Sequence, residues 1–325
     1  MTELLDLALA NLLSPIILSF ALGLFAALAR SDLSIPEAVA KGMSIYLLFA
    51  IGFKGGVAVD AAGLGPTLIG ALLAGVVLSF ALPFIAFALL RAMTGLSRLD
   101  AAAVAAHYGS ISIVTFVAGT SVLDSAGIAS DGWMVAVAAA MEAPAILSAL
   151  WLVARSGEGR TVDADLWREI LLNGSIVLLL GSFAIGWITG AEGLARIESF
   201  IVSPFQGVLC LFLLDMGLVA GRGLRGAGGL IRPGLLAFGI IMPLIGSAAG
   251  AVAGLLLGLG TGSVMLFMVL GASASYIAVP AAMRVALPQA NPSIYLTLSL
   301  GVTFPFNLTL GLPIYLAVSR MITGG

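Results

Sequence analysis

Polar residues in this chain occur as short interruptions between long apolar stretches. Cutting at clusters of charge, Gly and Pro leaves apolar segments near 4–29, 35–59, 66–92, 98–123 and 132–154, and again near 166–190, 199–221, 230–258, 262–287 and 293–319. Each reaches the roughly 20 residues that an α-helix needs to cross a bilayer. The pattern therefore predicts an all-α protein of ten transmembrane helices. Segments four and nine are themselves broken, at His107-Tyr108-Gly109-Ser110-Ile111-Ser112-Ile113 and at Gly271-Ala272-Ser273-Ala274-Ser275-Tyr276-Ile277. Both breaks read small-Ser-x-Ser followed by apolar residues, one in each half of the chain.

Composition agrees with the pattern. Hydrophobic residues make up 61% and charged residues 9% of the 325, with a mean hydropathy of +1.17, whereas soluble domains are about 25% charged. The lipid bilayer is therefore the solvent, and no polar stretch is long enough to fold as a separate soluble domain. The net charge of -2 is sparse and mixed in sign, which argues against a nucleic-acid partner. The lone cysteine, Cys210, permits neither a disulfide framework nor a cysteine metal site within one chain and reads as packing. Glu3 and Asp6 stand where a cleaved signal would carry basic residues, so the first segment reads as an uncleaved signal-anchor.

Basic residues set the orientation. With the N-terminus outside, the cytoplasmic connections carry Arg30 and Lys41; Arg91 and Arg98; Arg155, Arg160 and Arg168; Arg222, Arg225 and Arg232; and Arg284. The opposite side has Arg196, Arg320 and Lys54. This bias places both termini outside. Five helices per half is an odd number, so related halves must lie upside-down to each other. The expected organisation is a first repeat at 1–154, a cytoplasmic linker at 155–165 and a second, inverted repeat at 166–325. Met141-Glu142-Ala143-Pro144 in segment five and Thr303-Phe304-Pro305-Phe306-Asn307 in segment ten are its matching traces.

In inverted-repeat transporters, broken helices place substrate and coupling ion near the membrane midplane. A half-helix that begins there offers unpaired N–H groups and about half a positive charge, which suits an anion. Gly109, Ala272 and Ala274 would let a ligand approach the main chain beside Ile111, while Ser110, Ser112, Ser273 and Ser275 add hydroxyls. The half-helices that end there offer carbonyls, which are cation ligands. The bland alternative is that these small residues only pack helices.

Ionisable groups inside a membrane are costly, at about 2.5–3.5 kcal/mol or more each. Glu142 lies beside Pro144, and Thr303 and Asn307 occupy the matching region of segment ten, so the three together read as oxygen ligands for sodium. A protonated structural Glu142, or one that carries protons, is the competing reading. Asp215 reads as a gate or a salt-bridge partner toward the cytoplasmic end of segment seven. Lys54 reads as a gate or a snorkelling side chain, and His107 as a proton relay or a hydrogen-bonding partner of a neighbouring helix.

Tyr46-Leu47-Leu48-Phe49-Ala50-Ile51-Gly52-Phe53-Lys54-Gly55-Gly56, His107 through Phe116, and Leu209-Cys210-Leu211-Phe212-Leu213-Leu214-Asp215 resemble the sodium-dependent bicarbonate transporter family best known from cyanobacteria. The resemblance covers essentially the whole chain. It implies ten helices in two inverted repeats, and a core that moves against a gate domain in a homotrimer. It also implies sodium-coupled bicarbonate uptake across a bacterial plasma membrane. Bicarbonate would sit at Gly109 to Ser112 and Ala272 to Ser275. No cofactor is expected beyond sodium as coupling ion, and no enzymatic activity. The family is inhibited by a small PII-like nucleotide-binding protein on the cytoplasmic face, although the central loop here is short. A sodium symporter for another small anion, a sodium/proton antiporter on the same scaffold, a channel, and an intramembrane serine protease using Ser110 or Ser112 with His107 are the alternatives.

Overall fold

In the computed structural model, residues 13–63, 65–142, 144–154, 172, 174–226, 232–276, 279–280, 283 and 287–324 are described. The expected linker at 155–165, the beginnings of segments one and six, Glu3, Asp6, Arg155, Arg160, Arg168, Ile277 and Arg284 lie outside the described residues. The helices are α1 (Pro15–Leu28), α2 (Glu37–Ala62), α3 (Pro66–Met93), α4 (Arg98–Gly109), α5 (Ile113–Ser125), α6 (Met134–Ala140) and α7 (Pro144–Ala154). They continue with α8 (Gly174–Ile201), α9 (Phe205–Gly226), α10 (Pro233–Leu256), α11 (Thr261–Ala272), α12 (Pro292–Leu298), the single turn α13 (Phe304–Phe306) and α14 (Leu312–Thr323). No strand occurs among the described residues. Eight described helical stretches are long and apolar enough to cross a membrane, and the shorter α1 and α11 occupy the other two apolar segments.

Local sequence explains the ends. Pro opens α1, α3, α10 and α12, where its missing N–H costs nothing and its fixed φ suits a first turn. Ser14, Ser97 and Asn291 cap their helices by accepting N–H groups of Ile17, Asp100 and Ser293. Segment six, expected to end near 190, continues as an apolar helical stretch from Val177 to Ile201. Within it Gly190 takes a non-helical φ of 55°, which glycine adopts readily, and kinks α8 there.

Packing divides the bundle into two layers. One is α1 against α9 and α2 against α8, joined through α2 and α9; the other gathers α3, α4, α5, α7, α10, α11 and α14. Segment four, broken between α4 and α5, is the most enclosed: its apolar window is 100% buried, against 28% for α3. Irregular backbone at membrane depth requires this, because lipid offers no hydrogen bonds.

The first layer repeats one contact. Gly23 of α1 lies against the Leu214 carbonyl of α9, and Gly217 of α9 lies against the Phe20 carbonyl of α1. Gly186 of α8 likewise lies against the Phe53 carbonyl of α2, and Gly56 of α2 against the Phe183 carbonyl of α8. In each pair the glycine follows by three residues the carbonyl that its partner's glycine touches. A Cβ at any of the four would strike backbone, so only hydrogen fits. The sequence carries the trace in Ser19-Phe20-Ala21-Leu22-Gly23 and Ser182-Phe183-Ala184-Ile185-Gly186, a match that lies outside the two broken segments.

Gly181, on the same helix as Gly186, faces open space. Gly186→Ala should lower thermal stability by about 1–3 kcal/mol through overpacking, whereas Gly181→Ala should leave it unchanged or raise it, since Ala is the better helix former. Thermal melts of the purified variants check this; a Gly186→Ala protein as stable as wild type would contradict the contact.

Candidate functional site at the crossing of the two breaks

The two serine-bearing breaks meet. The Ser112 N–H donates to Ser273 Oγ at 3.0 Å, and the Ser275 N–H donates to the His107 carbonyl at 2.8 Å. Ser273 Oγ passes its own hydrogen to the Leu270 carbonyl at 2.9 Å. Each break thus sends an amide to the carbonyl three residues before the other motif's first serine, once directly and once through a hydroxyl. Gly109 holds the first break against Pro83 and the Ser79 carbonyl of α3, while Gly246 of α10 and Gly271 lie backbone to backbone beside the second.

The crossing gives the four serines two different roles. Ser110 donates to Glu142 Oε2 at 3.0 Å, and Ser273 donates to Leu270, so both first serines spend their hydrogens on protein. Ser112 caps α5 by accepting the Thr115 N–H at 3.2 Å, and it also accepts the Thr115 hydroxyl at 3.0 Å. Ser275 accepts the Val279 N–H at 3.4 Å. Both second serines therefore accept from the chain that follows, which leaves their own hydrogens for a ligand. The amides of Ser112 and Ser275 serve the crossing, and the half-helix whose N–H groups are expected to face an anion begins one residue on from Ser112, at Ile113. The start of the half-helix after the second break lies largely outside the described residues.

Segments five and ten are also irregular. Met141 and Glu142 form a turn between α6 and α7, and the Met141 carbonyl is taken by Ser79 Oγ at 2.6 Å. In segment ten, α13 is flanked by five-residue π-helical turns at Ser299–Thr303 and Asn307–Gly311. Such turns gather at functional sites, and Pro305 between them removes one backbone donor. Thr303 donates to the Gly239 carbonyl at 2.7 Å, so in its 2.6 Å contact with Tyr108 the tyrosine hydroxyl is the donor. Asn307 Nδ2 donates to the Ala272 carbonyl at 2.9 Å, and its Oδ1 accepts from Tyr315 at 2.8 Å. Glu142 is thus bonded to the first break, Asn307 to the second, and Thr303 to Tyr108 before the first.

The side chains of the remaining candidates take no part in the bonds of the crossing, although the His107 carbonyl does. His107 donates through Nδ1 to the Ala103 carbonyl at 2.7 Å and stacks on Tyr295 at 4.5 Å. Asp215 is buried at the middle of α9 rather than toward its end, with Arg222 two turns along on the same face. Lys54 lines a cavity of about 440 Å³ with Phe116, Thr120, Asp124, Phe205 and Gln206, and its Nζ stands 5.4 Å from the Phe205 ring centroid. Phe116, which lines this cavity, is one turn of α5 beyond Ser112. A second cavity, of about 430 Å³, is lined by Arg222, Gly226, Ser293 and Thr297 at the opposite end of α9. Lys54 and Asp215 directly follow Phe53 and Leu214, the carbonyls of the paired glycine contacts, so they occupy corresponding places with opposite charge.

An all-helical, multi-pass membrane protein with two breaks crossing at its buried centre is built to handle small polar solutes within the bilayer. A family model described as the Na+-dependent bicarbonate transporter superfamily matches residues 15–320. The chain belongs to that superfamily. No curated protein matches it significantly.

Removing Ser273 Oγ strands the buried Ser112 N–H, which costs about 1–3 kcal/mol when no partner replaces it. Ser273→Ala should lose roughly that stability in thermal or denaturant unfolding, more than Ser125→Ala, whose hydroxyl bonds only within its own helix. Equal losses from the two variants would argue against the Ser273 relay.

Proposed function

We propose that this chain is a sodium-coupled symporter that imports bicarbonate by alternating access. The observation that carries the reading is the pair of crossed breaks, whose second serines keep hydrogens for an anion at a buried, polar centre in a chain of this superfamily. Bicarbonate binds at Gly109, Ser110, Ile111 and Ser112 with Ala272, Ser273, Ala274 and Ser275. Sodium takes oxygens from Glu142, Thr303 and Asn307, its charge completing the site for the anion. An antiporter would need two carboxylates at the breaks, and among the described residues Glu142 is the one bonded to them.

In this reading the halves are inverted repeats and the chain crosses the membrane ten times. Exchange of α1 with the equivalent part of α8, and of α2 with α9, converts one glycine pair into the other, which supports the duplication. The layer of α1, α2, α8 and α9 is the gate, and the remainder is the core that carries the ions past it in an elevator-like movement. The cavities at opposite ends of α9 are the two access routes, with Lys54 and Asp215 at the gate face. The bacterial inner membrane, both termini outside, a homotrimer and a PII-like regulator rest on the basic-residue bias and the family resemblance.

One sodium per bicarbonate moves no net charge, so the sodium gradient alone drives uptake, at about 1.4 kcal/mol per tenfold ratio. A second sodium would add roughly 2.3 kcal/mol per 100 mV. Labelled bicarbonate should enter proteoliposomes only with an inward sodium gradient; uptake no higher than in protein-free vesicles at every sodium concentration would sink the proposal. Ser112→Ala and Ser275→Ala should raise the bicarbonate KM about tenfold each. Glu142→Ala should mainly raise the sodium needed for half-maximal uptake, and a wild-type sodium requirement would remove Glu142 from the cation site.

A further inference from the structure

Two buried side-chain polar atoms among the described residues have no hydrogen-bond partner, His107 Nε2 and the Tyr276 hydroxyl. A buried group of this kind needs an explanation, because leaving it unmade costs about 1–3 kcal/mol. His107 stands a turn before the first break, its ring laid on Tyr295. Tyr276 is different, since it directly follows Ser275 inside the second break and is only 9% exposed.

The Tyr276 ring is held in place. Phe304, between the two π-helical turns, meets it edge-on at 5.2 Å, and Phe20 of α1 meets Phe304 edge-on at 5.4 Å. Phe304 follows Thr303, which is itself fixed between Tyr108 and Gly239. The tyrosine hydroxyl is therefore aimed by packing. It stands beside the Ser112 side chain, and its own hydrogen has no protein acceptor.

Ser112 Oγ already accepts two hydrogens from Thr115. Its two lone pairs are filled, so it can only donate further, and it offers Tyr276 no acceptor. The Tyr276 hydrogen thus lies in a buried region that supplies it no protein acceptor, while the Ser112 hydrogen is free to turn to the Tyr276 oxygen or to a ligand. A small oxyanion supplies acceptor oxygens and no competing cation. We infer that Tyr276 is an anion-binding residue of the crossing, its hydroxyl donating to an oxygen of bicarbonate that Ser112 also holds. This rests on the transport reading above and adds to its site a residue outside the serine motifs.

Tyr276→Phe removes one oxygen and keeps the ring between its aromatic neighbours. In proteoliposomes the variant should show a bicarbonate KM raised about tenfold, as for one hydrogen bond lost to a charged ligand. Half-saturating sodium, measured at saturating bicarbonate, should be unchanged. Without ligands the variant should melt no lower than wild type, because the removed hydroxyl had no protein partner, and the rise in melting temperature caused by sodium bicarbonate should shrink. A wild-type KM and melting shift in the variant, an effect confined to sodium, or a variant that fails to fold would each overturn the inference. Wild-type protein that neither transports nor is stabilised by sodium bicarbonate would instead overturn the transport reading, and this inference with it.

Discussion

A helix interrupted inside a membrane exposes backbone groups that lipid cannot satisfy, and in this molecule each break is satisfied by the other. Ser112 gives its amide to Ser273, and Ser275 gives its amide to His107. Burial of the whole α4–α5 stretch, the glycine contacts that bring α10 against α11, and the proline-backed seat of Gly109 all follow from the need to hold these two bonds at the centre. Each break thus relies on a group of the other half of the chain to satisfy one of its amides.

The same constraint sorts the chemistry. With the amides of Ser112 and Ser275 committed to the crossing, the hydroxyl hydrogens of these two serines stay free, while Glu142 accepts from the first break and Asn307 donates to the second. In the proposed mechanism the donors hold the anion and the oxygens hold the cation. Opposite charges then sit close together in a medium of low polarity, where their attraction is far stronger than in water. An anion and a cation can each lower the cost of burying the other, which is the physical content of symport.

Much of this was legible in the sequence because membranes force a coarse code. Apolar length marked the segments, and Ser-x-Ser in apolar surroundings marked the breaks. Glu142 stood out because an acid in such surroundings needs a reason. Other features were illegible for definite reasons. Which serine donates and which accepts depends on Thr115, Val279, Leu270 and Glu142, and only the fold brings Glu142 into reach. The π-helical turns around Pro305 have no periodicity of their own, and Asp215 lies mid-helix because α9 begins at Phe205, later than its apolar stretch. Tyr276 looked like the ordinary apolar continuation of its motif until its hydroxyl was found buried and unpartnered.

The central claim is that sodium completes the anion site at the crossing, which makes the two affinities thermodynamically linked. Titration of purified protein with bicarbonate by calorimetry, at a series of fixed sodium concentrations with potassium held to constant ionic strength, measures that link directly. The account predicts that bicarbonate binds at least tenfold more tightly in saturating sodium than in potassium alone, with the reciprocal gain in sodium affinity when bicarbonate is present. Bicarbonate affinity that is the same with and without sodium would contradict it.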